Sequence, residues 1–361
     1  MLKISLDRWR KGHRGRMLDI IHLDTSNSEP VRPAANQAPK RSKPHIVEIL
    51  KSGIVAKTAT SAVFNAGLAA EIDAIRFLGE IYPEFMVPVL TDGMVSGRRF
   101  YLTRRVFGCN LSEIIFNQAL PYEFRRTCFL AAFQTIGTII DRERDFASTV
   151  GGGLTSLLAQ EWNRVKKVEY VAPLLSQFIV GDGVNTRKTL EDIYLAAIHR
   201  AQNTFFIKAK TAHFDFHFGN ILLQDHTDRF FCVAPDATVK SLDPLLGLAR
   251  FITSFWQELA TGMAGAMLVR NDGGGCVNYH LADEAHADLL RHIPELMSPS
   301  SLLSQLDERD RALLPLFVLY CFLKSIRSSA AKRPLPSGGN IYAAPQEVMA
   351  VGCAAFFSEG F

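Results

Sequence analysis

From His45 onward the chain switches between two hydrophobic periods. HIVEIL (45–50) and IVAKTA (54–59) are β-branched runs flanking Lys51-Ser52-Gly53, the pattern of a β-hairpin closed by a short glycine-containing turn. In GLAAEIDAIRFLGEI the apolar residues Leu68, Ile72, Ile75 and Leu78 recur at helical spacing and predict one buried face of an α-helix. Beyond Pro83, MVPVL and RFYLTRRVF return to strand texture, with Thr91-Asp92-Gly93 as the expected turn between them. At least four strands and one helix are therefore expected by residue 107, a small α+β lobe.

Helical patterns take over from Leu111. Phe129, Phe133, Ile136 and Ile140 share one helix face, as do Leu190, Ile193, Tyr194, Ala197 and Ile198. The longest apolar run, Ala312 to Leu323, contains Pro315 and falls short of the roughly 20 residues that span a bilayer, so it reads as a buried helix. Gly-Gly-Gly at 151–153 and at 273–275 reads as loop or insertion, and no internal repeat is visible. Residues 25–44 are rich in Pro, Ser, Asn and Ala and have a loop's composition, behind a basic head holding Lys3, Arg8, Arg10, Lys11, Arg14 and Arg16.

Composition narrows the function classes. A chain of 361 residues is longer than one hydrophobic core usually supports, so two lobes are expected, 1–106 (with 1–44 as head and loop) and 107–361. Forty Lys and Arg against 36 Asp and Glu leave a net charge of only +4, so nucleic acid is not an expected partner. The basic start is followed by no apolar core, which argues against export and against a membrane partner. Cys109, Cys128, Cys232, Cys276, Cys321 and Cys353 stand singly with no C-x-x-C, the usage of reduced thiols in a cytoplasmic protein. Oligomeric state leaves no signature.

The chemistry concentrates at Thr211–Asn220 (TAHFDFHFGN), followed by ILLQ, a turn at 225–228, RFFCVA and Pro235-Asp236. Asp215-x-x-x-x-Asn220 is a spacing at which an acid can meet a substrate hydroxyl while an amide oxygen coordinates magnesium. A later Asp supplies the charged oxygen that Mg²⁺ prefers. If the segment were a strand, His213, Asp215 and His217 would share one face, and a two-histidine, one-carboxylate metal site would be the competing reading.

His213-Phe-Asp215-Phe-His217-Phe-Gly219-Asn220 resembles the H-G-D-x-H-x-G-N catalytic loop of the aminoglycoside phosphotransferase branch of small-molecule kinases, with Phe214 in place of glycine. Asp243-Pro244-Leu-Leu-Gly247-Leu-Ala-Arg resembles the family's G-D-P-x-x-D-L-A segment, with Gly247 where a second Asp often stands. The resemblance implies an α+β, bilobal protein-kinase-like fold, with a small β-rich N-lobe and a large, mainly helical C-lobe. It implies transfer of the γ-phosphate of ATP, with Mg²⁺, to a hydroxyl of a small molecule such as an aminoglycoside or other antibiotic, a choline-like compound or a sugar.

By the same resemblance Asp215 is the catalytic base or the acid that orients the hydroxyl, Asn220 a magnesium ligand, His213 and His217 braces of the loop, and Asp243 the cap that steadies it. The second metal ligand has two alignments. Spacing from Asp243 selects Asp236, whereas overlaying Val233-Ala234-Pro235 on the family's I-D-P puts Ala234 there; shared strand parity would still aim Asp236 at the metal. Lys57 and Glu71 correspond to the strand lysine and helix glutamate that orient the α- and β-phosphates. Arg104, Arg105 and Val106 correspond to the hinge at the adenine. No G-x-G-x-x-G precedes Lys57, and LDTSNSE at 23–29 is the substitute the resemblance suggests for covering the phosphates. The missing glycines and the displaced acid also define the alternative, a catalytically impaired pseudokinase serving as a nucleotide-binding or scaffold module.

Overall fold

Element by element, the local signals between His45 and Arg104 are realised as a sheet and one helix. The structure, a computed structural model, describes residues 44–50, 53–117, 119–146, 149–169, 171–181, 184–202, 204–209, 211–225, 227, 229–236, 242–262, 267–271, 276–281, 306–330 and 345–357. The basic head, the 23–29 segment and the glycines at 273–275 lie outside the described residues. Two compact units partition the chain: one runs to Gln134 and includes Ile221–Ala234, the other comprises Thr135–Asn220 and everything from Pro235.

In the first unit β1 (His45–Leu50), β2 (Ile54–Ala59), α1 (Asn65–Ile81), β3 (Val89–Val95) and β4 (Arg98–Arg104) form an antiparallel sheet of order β1-β2-β4-β3 with one helix. The expected hairpin pairs His45 with Ala59 through Leu50 with Ile54, and Gly53 leaves it at φ 72°. On α1 the predicted face, Leu68, Ile72, Ile75 and Leu78, is buried. The turn between β3 and β4 is not Thr91-Asp92-Gly93, which lies inside β3 opposite Leu102, Tyr101 and Phe100. It is Ser96-Gly97, where φ values of 49° and 73° match the twist of a two-residue hairpin. Asp92 is spent instead on ion pairs with Arg76 and Arg99. Pro88 has no N–H for the ladder, so the strand expected over MVPVL starts only at Val89.

A second sheet of this unit joins β5 (Gly108–Asn110) to the hairpin of Ile221–Gln224 and Phe230–Cys232. Gly108 permits it: at φ 155°, a Cβ there would lie 1.9 Å from the Leu223 carbonyl oxygen. The short α2 (Leu111–Ile115) follows under an Asn110–Glu113 capping box, and then α3 (Tyr122–Asp145), whose Phe129, Phe133, Ile136 and Ile140 are buried as expected.

The second unit is mainly helical. Its elements are β6 (Thr149–Gly153), α4 (Thr155–Lys166), β7 (Phe178–Gly181), β8 (Val184–Thr189), α5 (Leu190–Ala201), β9 (Phe205–Lys208), α6 (Leu245–Gly262), β10 (Met267–Asn271), β11 (Cys276–Leu281), α7 (Glu308–Ala330) and α8 (Pro345–Phe356). The glycines at 151–153 are not a loop: they belong to β6, which pairs with β9 across a register shift, the kind of site where strand glycine is tolerated. β10, β11, β7 and β8 form a sheet that helical periodicity gave no hint of. Leu313, Leu314, Leu316, Phe317, Val318 and Phe322 are fully buried, so the apolar run is the core helix expected. Glu308–Ser329 is long and apolar enough to cross a membrane, yet 72% of its most apolar window is buried. Gly352 on α8 leaves room for the Trp256 ring of α6, which an added Cβ would meet at 2.5 Å.

Candidate active site

Two clusters hold the predicted residues, one in each unit. In the first, Lys57 on β2 donates from Nζ to both Glu71 oxygens on α1, at 2.7 and 2.8 Å. The side chains are 15% and 8% exposed, so the pair is well shielded from solvent screening. Tyr101, directly opposite Lys57 in the sheet register, donates its hydroxyl to Glu71 Oε1 at 2.8 Å. Burial, and then the Glu71 charge, hold the Tyr101 phenol far above its ordinary range, so it remains a donor. His45 lies nearby, its proton affinity lowered by burial and then by Lys57.

The residues expected at the hinge end β4 and follow it. Arg104 pairs with Ile54, the Arg105 N–H donates to the Gly53 carbonyl at 2.9 Å, and the Arg105 guanidinium stands 5.1 Å over the Phe107 ring. The Phe107 carbonyl accepts the Asp225 N–H at 2.8 Å, so Val106 sits between two pinned backbone groups.

In the second unit the 211–217 segment is an irregular loop, not a strand, so His213, Asp215 and His217 do not alternate onto one face. The Asp215 N–H donates to the His213 carbonyl at 2.7 Å, a γ-turn centred on Phe214 at φ 54°. This is where the resembled motif carries glycine; here a phenylalanine adopts the left-handed conformation, and its ring is 3% exposed. His213 is fully buried, stacks on Phe216 at 4.2 Å, and its N–H donates to Glu143 Oε1 of α3 at 2.8 Å. Gly247 is explained by the same rings: a Cβ there would lie 2.6 Å from Phe216. Phe218 packs on Phe251 of α6 at 5.0 Å.

Asp215 is a half-buried carboxylate with both oxygens engaged. Oδ2 accepts from Asn220 Nδ2 at 3.2 Å, and Oδ1 accepts from Arg250 Nε at 3.1 Å. The Asn220 amide nitrogen also donates to the Asp215 carbonyl at 3.1 Å, so this network turns the amide oxygen the other way. His217 Nδ1 accepts the Gly219 N–H at 3.1 Å, which leaves the proton on Nε2, 3.8 Å from Asp215 Oδ2. Burial, the largest influence on His217, pulls its proton affinity below the ordinary histidine range, and the ring is neutral near pH 7.

Asp236 joins the loop through its backbone, its N–H donating to the His213 carbonyl at 3.0 Å. Strand parity does not govern its direction: the strand ends at Cys232 and Ala234 takes φ 53°. Asp243 is fully buried and accepts four hydrogen bonds. Oδ1 takes Leu245 N at 3.0 Å and Arg144 Nη2 at 3.0 Å; Oδ2 takes Ile207 N at 3.0 Å and Arg309 Nη2 at 2.5 Å. It therefore caps the helix as expected and also anchors β9, the strand that feeds the loop. Asp310 grips Arg144 two-pronged at 2.7 Å and completes a charge-balanced cluster.

Glu143, Arg144, Tyr101, Arg309 and Asp310 had no place in the motif reading, and Arg250, which ends its Asp243–Arg250 segment, had no role there. Arg250 alone carried a sequence signal, as the one charge within the apolar run LLGLARFITSFW. Among the described residues, no three or more His, Cys, Asp and Glu side chains could hold a metal ion together, so the two-histidine site is not formed. Asn220, whose amide nitrogen is spent on Asp215, and Asp236 each carry a hard oxygen of the kind Mg²⁺ takes in small number alongside phosphate.

No family model matches the chain, and no curated protein does. Among solved structures, an aminoglycoside-3′-phosphotransferase of type VIII is 15% identical over 78% of this chain and 95% of its own, with TM-score 0.37. An aminoglycoside 2′-phosphotransferase-IIIa in its GDP complex is 12% identical over 95% and 96%, with TM-score 0.46. An aminoglycoside phosphotransferase from Streptomyces rimosus, in complex with ADP and streptomycin, is 14% identical over 76% and 92%, with TM-score 0.38. At such scores the likeness adds nothing to what the side chains of this chain support.

Proposed function

We propose that the protein is a small-molecule kinase that transfers the γ-phosphoryl group of ATP to a hydroxyl. The Lys57–Glu71 pair carries this reading. A strand lysine held by both oxygens of a buried helix glutamate, itself fixed by Tyr101, is a cation that cannot swing away from a polyphosphate. Lys57 engages the α- and β-phosphates, and the chain at Arg104, Arg105 and Val106 meets the adenine edge through backbone groups. Asn220, through the oxygen turned from Asp215, and the Asp236 carboxylate hold magnesium. When bound, that ion neutralises charge on the phosphates.

Asp215 orients the acceptor hydroxyl and finally takes its proton. One hydrogen bond already occupies each carboxylate oxygen, and an ionised oxygen accepts about two, so each keeps a site for the incoming hydroxyl. A carboxylate tethered at both oxygens suits a loose phosphoryl-transfer transition state, which asks more for alignment than for proton abstraction. The acceptor is a hydroxylated small molecule, consistent with a net charge too small for a polyanionic partner.

Calorimetric titration with ATP, with and without Mg²⁺, paired with ATP turnover, tests the reading. Magnesium-dependent binding is expected in the wild type. Asp215→Asn should keep binding while turnover drops about 10²- to 10⁴-fold, and Asp236→Ala should lose the magnesium dependence. Turnover retained in Asp215→Asn, or no nucleotide binding by the wild type, overturns it.

A further inference from the structure

We propose that Arg250 is a positioning residue for Asp215: it aims the carboxylate at the acceptor hydroxyl and so supports the chemical step without contributing to nucleotide binding. The inference rests on the kinase reading above and adds a residue to it.

The sequence of α6 makes the arginine conspicuous. Between Leu245 and Trp256 every other residue is apolar, glycine or hydroxylated, and the neighbours Ala249 and Phe251 are fully buried. A guanidinium flanked by such residues is unfavourable unless its donors are met. Two are met in different places: Nε donates to Asp215 Oδ1 at 3.1 Å and Nη1 to Ser325 Oγ of α7 at 3.3 Å. Ser325 is 3% exposed on the core helix, so the arginine ties the loop carboxylate to a buried element of the unit.

The loop needs such a tie. Phe214 at φ 54° is a conformation that persists only where the surroundings over-determine it. Glu143 and the Asp236 N–H fix the His213 end, and Asn220 fixes Asp215 Oδ2. Without Arg250, Oδ1 has no side chain holding it among the contacts described, and the carboxylate can pivot about its single bond to Asn220. Two anchors, one per oxygen, define the plane of the group and therefore where its remaining lone pairs point. Arginine suits this task because its rigid fork spans two acceptors that a lysine's single ammonium cannot reach in the same geometry.

The test uses the full chain with MgATP as probe, read as ATP turnover and as calorimetric affinity in Arg250→Met, Arg250→Lys and Ser325→Ala. Arg250→Met is expected to lose about 10- to 100-fold in kcat with ATP affinity within about twofold of wild type. Arg250→Lys should fall between the two, and Ser325→Ala should lose a few-fold by loosening the far end of the fork. Millimolar methylguanidinium should restore part of the Arg250→Met turnover, a response that a purely structural role would not give. If Arg250→Met does not fold, the Lys and Ala variants decide by the same split between kcat and affinity. Turnover near wild type in the Arg250 variants, or a fall in kcat matched by an equal loss of ATP affinity, overturns the inference while leaving the kinase reading intact. A wild type that neither binds nor hydrolyses MgATP ends both.

Discussion

Replacing Asp243 with asparagine changes one atom in the most heavily engaged carboxylate of the second unit. In the native chain its two oxygens accept from Leu245 N, Arg144, Ile207 N and Arg309 with no solvent exposure. The amide keeps one oxygen for two of these donors but turns an NH₂ toward the other two, so donors face donors. Arg144 and Arg309 also lose half of the negative charge that Asp243 and Asp310 supply between them. Breaking a buried pair from one side costs about 3–5 kcal/mol, because the remaining charge is left without its partner. For a unit of this size that corresponds to a melting point about 6–20 °C lower. Urea unfolding followed by tryptophan fluorescence is the direct assay, since the buried Trp162 and Trp256 both lie in the second unit. Turnover measured well below the melting point should also fall, because the freed Ile207 N–H loosens β9 where it enters the loop. A melting point within about 2 °C of wild type would refute the claim that this carboxylate organises the cluster.

Gly247→Ala brings a Cβ to 2.6 Å from the Phe216 ring; an overpacking loss of about 1–3 kcal/mol is expected in urea unfolding, with reduced turnover as Phe216 displaces His213. Stability should also decline as pH falls below about 6.5. The folded proton affinities of His45 and His217 are lowered, chiefly by burial, so above their ordinary value both states are neutral and pH has no effect through these rings. Below it the unfolded chain takes up protons first and gains, and His45→Gln should flatten part of the slope of melting point against pH. An unchanged slope would count against the burial of His45 as its cause.

Much of the first unit was legible because its signals are local. The β1–β2 hairpin and the α1 face each lie within a short stretch, and each emerges as read. The β3–β4 turn was misplaced because Asp92-Gly93 carries turn chemistry, while two arginines from elsewhere claim the Asp92 carboxylate and Ser96 accepts a positive φ without advertising it. The sheet of β10, β11, β7 and β8 is made of two local antiparallel hairpins joined by the parallel β11–β7 pairing of residues about a hundred positions apart, and no window of sequence records that joint. Arg250, Glu143 and Tyr101 act through approach in three dimensions; only the first left a trace, as a lone charge in an apolar helix. Gly247 in place of aspartate reads as a departure from a motif until the Phe216 ring is seen to fill the space a side chain there would need.

The backbone leaves the second unit after Asn220, completes the 221–234 hairpin of the first, and re-enters at Pro235. Neither unit is thus encoded by one uninterrupted stretch of gene. A fragment stopped at Gln134 would strip β5 of its strand partner Ile221–Gln224 and expose an unpaired edge, so simple truncation should yield aggregates rather than a free-standing module. Swapping the first unit between related chains would take two replaced segments instead of one crossover. The residues flanking that passage, Asn220 and Asp236, are the ones assigned to the metal, so recombination at this boundary would disturb chemistry and folding together.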